Sequence, residues 1–139
     1  MKRRELVSKI MSTNLITVNT TNNLVEAEKL FNENSIRHIP VVSGDDIIGM
    51  LSLTDLLRVS FVDAYGSDES DVDTAVYNML SIEQVMVKNI VSVSSTQTIK
   101  EVAEILAKNE FHALPVVDND KLVGIVTTTD LLNYLLEQY

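Results

Sequence analysis

The chain contains the same pattern twice, and this repeat limits the fold more than any single motif. Residues 7–57 lie on residues 82–132 without a gap, at a shift of about 75 residues, and roughly 15 of about 51 aligned pairs are identical. The fixed points are Met11 with Met86, Val18 with Val93, Pro40 with Pro115, Gly49 with Gly124, and Asp55 with Asp130. A unit of about 50 residues buries too little surface to stand alone. Two such units can cover each other's apolar faces, so the repeat predicts a pseudo-twofold pair with one shared core.

Each copy reads the same way. Ile16-Thr17-Val18 and Val91-Ser92-Val93 are short β-branched stretches followed by polar turns at 19–23 and 94–98. Leu24, Ala27, Leu30 and Phe31 recur at helical spacing, as do Ile99, Val102, Ala103 and Leu106. Asn23 and Thr98 are N-cap types, and Asn34 and Asn109 suit the left-handed residue that closes a helix. Ile39-Pro40-Val41-Val42 and Leu114-Pro115-Val116-Val117 read as buried strands with proline near the start. Turns at Ser43-Gly44-Asp45-Asp46 and Asp118-Asn119-Asp120-Lys121 lead into third strands at 47–52 and 122–127, and then into helices opening at Asp55 and Asp130. The order per repeat is strand, helix, strand, strand, helix. That is a mixed α/β (α+β) fold in which a small sheet is packed by helices. Residues 1–60 form the first repeat, 61–81 an acidic linker and 82–139 the second repeat. Within the linker, Gly66-Ser67-Asp68-Glu69-Ser70-Asp71 is expected to be mobile, and 73–80 to form a short helix with Val76, Met79 and Leu80 on one side.

Composition narrows the function. Apolar residues make up 45% of the chain, enough for a core and against intrinsic disorder. The net charge of -9 offers no basic stripe to neutralise phosphates, which argues against a nucleic-acid partner. The same acidity repels a free anionic ligand at long range, so an anion site must be favourable locally. There is no cysteine, which removes disulfides and thiolate metal sites. The N-terminus has no signal-peptide apolar run, and no stretch is apolar enough to cross a bilayer, so the expectation is a soluble cytoplasmic protein without a membrane partner. The two histidines lie far apart in sequence, and neither a glycine-rich phosphate loop nor a metal-ligand spacing occurs. The chain does not read as an enzyme.

Taken in order, the residues resemble the cystathionine β-synthase (CBS) domain family. The resemblance rests on the opening Ile10-Met11-Ser12 and Val85-Met86-Val87 and on the Pro-Val-Val strands. It rests above all on Gly49-Met50-Leu51-Ser52-Leu53-Thr54-Asp55 and Gly124-Ile125-Val126-Thr127-Thr128-Thr129-Asp130. It covers nearly the whole chain outside the linker and implies a regulatory pair with two clefts for AMP, ADP, ATP, S-adenosylmethionine or a related ligand. By the same resemblance Asp55 and Asp130 would bind ribose, and Ser52 and Thr127 would approach phosphate. Arg37, His38 and His112 would offset phosphate charge, and backbone near Ile16, Thr17, Ile39, Ile90, Val91 and Leu114 would surround the adenine. No cofactor is required; an adenosine nucleotide or S-adenosylmethionine would be the bound ligand. Ala113 stands where relatives often carry a basic residue, so the second site has fewer cations, while Leu53 makes the first site read as the drier of the two.

The chemistry of these residue types agrees. A carboxylate accepts hydrogen bonds from both hydroxyls of a ribose diol, and a helix N-terminus offers N–H groups and partial positive charge to an anion. Plainer readings stay open: Asp55 and Asp130 as helix caps alone, Ser52 and Thr127 as strand ends, and Arg37, His38 and His112 as surface residues. A homodimer is expected, because two amphipathic helices per repeat leave more apolar stripe than one small core absorbs. Any regulated target is then another protein. The competing function is a ligand-free dimerising scaffold that contacts its partner through the linker or through Leu131, Leu132, Tyr134, Leu135 and Leu136 of the last helix.

Overall fold

The computed structural model describes residues 4–63, 79–109 and 111–139. The expected acidic stretch at 66–71, and all but the last two residues of the expected helix at 73–80, lie outside these. Of those two, Leu80 packs on a core cluster while Met79 is 81% exposed, so they do not share a buried side.

Among the described residues the chain begins with a 3₁₀ turn, Val7–Lys9. It continues through α1 (Leu24–Asn34), β1 (His38–Ser43), β2 (Asp46–Ser52), α2 (Leu53–Asp63) and α3 (Ile82–Val85). It ends with α4 (Ile99–Lys108), β3 (Ala113–Asp118), β4 (Lys121–Thr127) and α5 (Thr128–Glu137). The architecture is mixed α/β, with one antiparallel hairpin per repeat, β1 on β2 and β3 on β4. The hairpin turns use residues that tolerate left-handed backbone: Gly44 at φ 63° in the first, Asn119 and Asp120 at φ 51° and 66° in the second.

The stretches around Val18 and Val93, expected as strands, each contribute one bridged residue. Val18 N–H donates to Pro40 C=O at 3.1 Å and Val42 N–H to Val18 C=O at 2.8 Å; the Val93 pair to Pro115 and Val117 measures 3.0 and 2.7 Å. The polar turns that follow at once leave no second residue to extend the ladder. A one-residue register slip falls between Val41 and Val42, and again between Val116 and Val117. The slip therefore sits where the strand bonds Val18 or Val93 on its other edge.

The chain divides into two compact units, Ile16–Ile90 and Met1–Leu15 with Val91–Tyr139. These do not coincide with the sequence repeats, because each unit incorporates the leading segment of the other copy. In the first-named unit Met50 and Val87 exchange backbone hydrogen bonds of 3.0 and 2.9 Å; in the other, Ser12 and Ile125 exchange bonds of 2.8 and 3.0 Å. Each hairpin is thus flanked on both edges, by Val18 and Val87 or by Val93 and Ser12.

The buried residues group in two clusters, one in each unit. Leu24, Ala27, Phe31, Ile39, Val41, Leu51 and Leu56 form the first around Ile82, a second-repeat residue. Val93, Val102, Leu106, Leu114, Val116 and Val126 form the other around Val7, a first-repeat residue. The exchanged segments supply apolar cover to each cluster, Ile82 to the first and Val7 to the other.

The helix caps follow the sequence at one end and depart from it at the other. Asn23 and Thr98 cap α1 and α4 in reciprocal boxes with Glu26 and Glu101, and Ser81 does the same for α3 with Gln84. The Thr98 bonds hold the Glu101 carboxyl below its ordinary range. The left-handed residue after α1 is Ser35, at φ 52°, not Asn34, and Asn109 is extended. Both asparagines instead donate their side-chain amides back to carbonyls four residues earlier, Leu30 at 2.9 Å and Ile105 at 2.7 Å. This satisfies helix-end carbonyls through side chains, beside the left-handed Ser35 at the end of α1 and without a positive φ at the end of α4.

The loop after Val93 is clamped to the end of β3. Ser94 Oγ and Ser95 N–H each donate to Asp118 Oδ1 at 3.0 Å, and with the Ser95 hydroxyl they hold that carboxyl below its ordinary range. The equivalent first-repeat loop closes on itself through Asn19 and Asn22.

The two hairpin glycines are required by the exchange. A Cβ built on Gly49 would lie 2.4 Å from Met86 Sδ and 3.0 Å from Val87 O; one on Gly124 would lie 2.8 Å from Met11 Sδ and 3.1 Å from Ser12 O. The thioethers can shift, whereas the backbone oxygens are held in their bridges. Gly49→Ala should therefore lower stability by about 1–3 kcal/mol, the scale of overpacking. In urea unfolding, part of that loss should be recovered in the Gly49→Ala/Met86→Ala pair relative to the sum of the single variants.

Candidate functional site

Each unit carries one strand–helix junction built by the same local rules. In the Ile16–Ile90 unit β2 ends at Ser52 and α2 starts at Leu53; in the other β4 ends at Thr127 and α5 starts at Thr128. The helices thus open two residues before the aspartates expected to start them. Thr127 is the N-cap of α5, its hydroxyl accepting Asp130 N–H at 3.1 Å, while Asp130 Oδ2 accepts Thr127 N–H at 2.8 Å. Ser52 Oγ likewise accepts Asp55 N–H at 3.0 Å. The physical reason is the three-residue spacing: a hydroxyl at the cap reaches the third helical N–H, and a carboxylate at that third position reaches back. That spacing is visible as Ser52-Leu53-Thr54-Asp55 and Thr127-Thr128-Thr129-Asp130 and could have placed the cap correctly.

The residues before β1 and β3 are tied to the same helix starts. Leu53 N–H donates to Arg37 C=O and Thr128 N–H to His112 C=O, both at 2.9 Å. Cross-strand register sets His38 opposite Ser52 and Ala113 opposite Thr127. Arg37, His38, Ser52 and Asp55 therefore gather at one junction, and His112, Thr127 and Asp130 at the other. Ile39 and Leu114 are buried in the two clusters, so only their backbones can face a ligand. Ile16 is half-buried against the first cluster, Thr17 and Val91 are exposed, and Ile90 is half-buried. Leu53, expected to dry the first site, packs on the core cluster instead.

One charged neighbour escaped the sequence reading. Arg58 lies 3.7 Å from Asp55 Oδ1, an i,i+3 pair on α2. Opposite charges three apart on a predicted helix were the available signal. Asn133 occupies the equivalent position on α5. One turn beyond Asp130, the buried Tyr134 donates its phenol to Glu5, which also pairs with Lys9. The Glu5 bond and burial push the phenol above its ordinary range. This anchors α5 to the N-terminal segment.

The arrangement can accept a diol through the carboxylates and present helix N–H groups and hydroxyls to an anion. In each helix the first N–H is engaged by the carbonyl of Arg37 or His112 and the third by the cap hydroxyl, which leaves the second, of Thr54 or Thr129, between them. Among the described residues no three His, Asp or Glu side chains group as metal ligands, and no helix is long and apolar enough to cross a membrane.

Fold and junctions together define a tandem α/β repeat protein in which each copy presents a capped helix start beside a Pro-Val-Val hairpin. The CBS domain model matches residues 7–61 and 82–137, and the chain belongs to that family. The chain is similar to a structure of an acetoin-utilization-type protein (AcuB) of Vibrio cholerae, at 27% identity and TM-score 0.79, covering 96% of this chain and 91% of that one. It is similar to the CBS domain pair of protein MJ0100 in complex with methylthioadenosine and S-adenosylmethionine, at 25% identity and TM-score 0.73, covering 94% and 98%. A homoserine O-acetyltransferase of Methanohalobium evestigatum is 30% identical over 135 residues, 96% of this chain but 24% of that protein. The chain spans 47%, 36% and 24% of the length of the first curated relatives it matches. CBS pairs of this kind are in general regulatory modules, and the pair in MJ0100 holds adenosine ligands.

The cap geometry has a stability consequence separate from any ligand. Thr127→Ala should cost about 1 kcal/mol in thermal or denaturant unfolding, and Asp130→Asn only a few tenths, since an amide oxygen can still accept Thr127 N–H. Equal losses in the two variants would contradict the box geometry.

Proposed function

We propose that this chain is a regulatory module that binds an adenosine-containing ligand at its two strand–helix junctions and acts on another protein without catalysing a reaction. The ligand class comprises AMP, ADP, ATP and S-adenosylmethionine-like molecules. The observation that carries the reading is the recurrence, in both units, of a hydroxyl cap, a carboxylate three residues on and a helix start tied to the residue before the hairpin. Each group keeps capacity for a ligand. A hydroxyl that accepts a backbone N–H still has its proton to donate to a phosphate oxygen. A carboxylate that accepts one N–H has lone pairs left for two ribose hydroxyls. Asp55 and Asp130 take ribose; Ser52, Thr127, Arg37, His38 and His112 face the phosphate end; backbone near Ile16, Thr17, Ile39, Ile90, Val91 and Leu114 borders the base. The adenosine ligands of the MJ0100 pair support this class.

Titrating the protein with AMP, ADP, ATP and S-adenosylmethionine in a thermal melt should raise the midpoint with concentration for at least one of them. Asp130→Asn should then weaken binding at that junction by about tenfold or more, the scale of a lost charge-assisted hydrogen bond. Unchanged affinity at both junctions in Asp130→Asn and Asp55→Asn would remove the ribose assignment. A flat response across the panel would favour the scaffold reading instead.

A specific observation favours self-association alongside ligand binding. Leu57 on α2 and Leu132 on α5, equivalent in the repeat, are both about half exposed, and Leu136 is 70% exposed. Tyr134, by contrast, is buried and cannot serve as a surface contact. The outward leucines fit a homodimer built on these helices. Sedimentation at tens of micromolar, an order-of-magnitude concentration chosen for ordinary interface affinities, should show the dimer, and Leu132→Asp with Leu136→Asp should give a monomer.

A further inference from the structure

The two junctions share a backbone and differ in charge. Both helix starts are tied to the residue before the hairpin by a bond of the same length, 2.9 Å, and both have a hydroxyl cap bonded to the third helical N–H. Side chains at equivalent positions therefore project from equivalent places. At two of these positions the Ile16–Ile90 unit carries a basic residue where the other has none, and at a third it carries arginine where the other carries histidine. Arg37 corresponds to His112, His38 to Ala113, and Arg58 to Asn133. Arg37 is exposed, His38 lies opposite Ser52, and Arg58 lies 3.7 Å from Asp55. In the other unit a methyl group lies opposite Thr127, and the Asp130 carboxylate is turned onto Thr127 N–H at 2.8 Å.

The net charge of -9 makes the difference matter. A strongly acidic chain repels a phosphorylated ligand at long range, so binding depends on cations at the site itself. A guanidinium carries charge at any physiological pH and can grip phosphate oxygens in a fork; alanine and asparagine offer no such charge.

We propose that the two junctions divide adenosine ligands by charge: the Ile16–Ile90 unit takes a phosphorylated adenosine, and the unit of Met1–Leu15 with Val91–Tyr139 takes an adenosine whose 5′ substituent carries no phosphate. This rests on the adenosine reading given above. Arg37 is the determinant of the phosphorylated ligand, with His38 and Arg58 beside it. The second junction keeps only His112 of the three basic side chains, without a guanidinium fork, and its Ala113 and Asn133 suit it to a thioether or similar uncharged group.

Titration calorimetry of the whole chain with ADP and with methylthioadenosine tests the division. The wild type should bind each probe at a separate junction, so that Asp55→Asn weakens ADP alone and Asp130→Asn weakens methylthioadenosine alone. Arg37→Ala should weaken ADP by about tenfold or more, the scale of a lost charge-assisted contact, and leave methylthioadenosine within about twofold. Because Arg37 is exposed, an unchanged melting midpoint will show that the variant is folded. The transplant His112→Arg with Ala113→His should create a second ADP site. The division is overturned if the wild type binds ADP equally at both junctions, if one aspartate variant removes both probes, or if the transplant gains no ADP binding. If neither probe nor any other adenosine compound binds, the adenosine reading itself fails and the division falls with it; misallocated binding sinks only the division.

Discussion

The contact on which the rest of the structure depends is the reciprocal seating of each repeat's leading segment on the other repeat's hairpin. Met11 lies over Gly124 and Met86 over Gly49, with a pair of backbone hydrogen bonds beside each, Ser12 with Ile125 and Met50 with Val87. A two-stranded hairpin on its own is marginal and exposes two edges. Here both edges are covered, one by the repeat's own Val18 or Val93 and the other by the exchanged segment. The same exchange carries Val7 and Ile82 into the clusters that close each core. Glycine at 49 and 124 is what lets the methionine and the bridging backbone come so near.

The candidate site is a by-product of that construction. The bridges at Met50 and Ile125 fall two residues before the caps Ser52 and Thr127, so the exchanged segment fixes the strand end from which each helix starts. On the other side, the carbonyls of Arg37 and His112 hold the first helical N–H. The junction is therefore set by backbone hydrogen bonds from two sides. Side chains at its rim can vary without moving it, which is why two copies with one geometry can carry different charge.

Much of this was legible in the chain itself. The gapless repeat carries the order of elements, the short apolar runs at 39–42, 47–52, 114–117 and 122–127 mark β1 to β4, and Asn23 and Thr98 mark the starts of α1 and α4. The signals for helix ends were weaker: Asn34 and Asn109 have the right chemistry for a left-handed closure but use their amides on earlier carbonyls. Asp55 and Asp130 have the chemistry of helix openers, because an aspartate before an apolar helix is a common cap. The hydroxyl three residues earlier takes that place, and the carboxylate becomes its partner. The single-residue bridges at Val18 and Val93 carry the sequence signal of a strand because β-branched runs look alike whether one residue or five pair.

By itself the sequence determined the elements, their twofold recurrence and the residue types at the two junctions, because each depends on spacing along a few turns of chain. Which repeat's segment completes which sheet was decided only by tertiary structure. Residues 7–12 and 82–87 share an apolar pattern, Val7, Ile10 and Met11 matching Ile82, Val85 and Met86, and are compatible with either hairpin on local grounds. Their partner is chosen by contacts between residues tens to more than a hundred positions apart, Met86 with Gly49 and Met11 with Gly124. The same long-range pairing divides the buried residues into two clusters, since an apolar pattern marks which side chains are buried but not which of them are buried together.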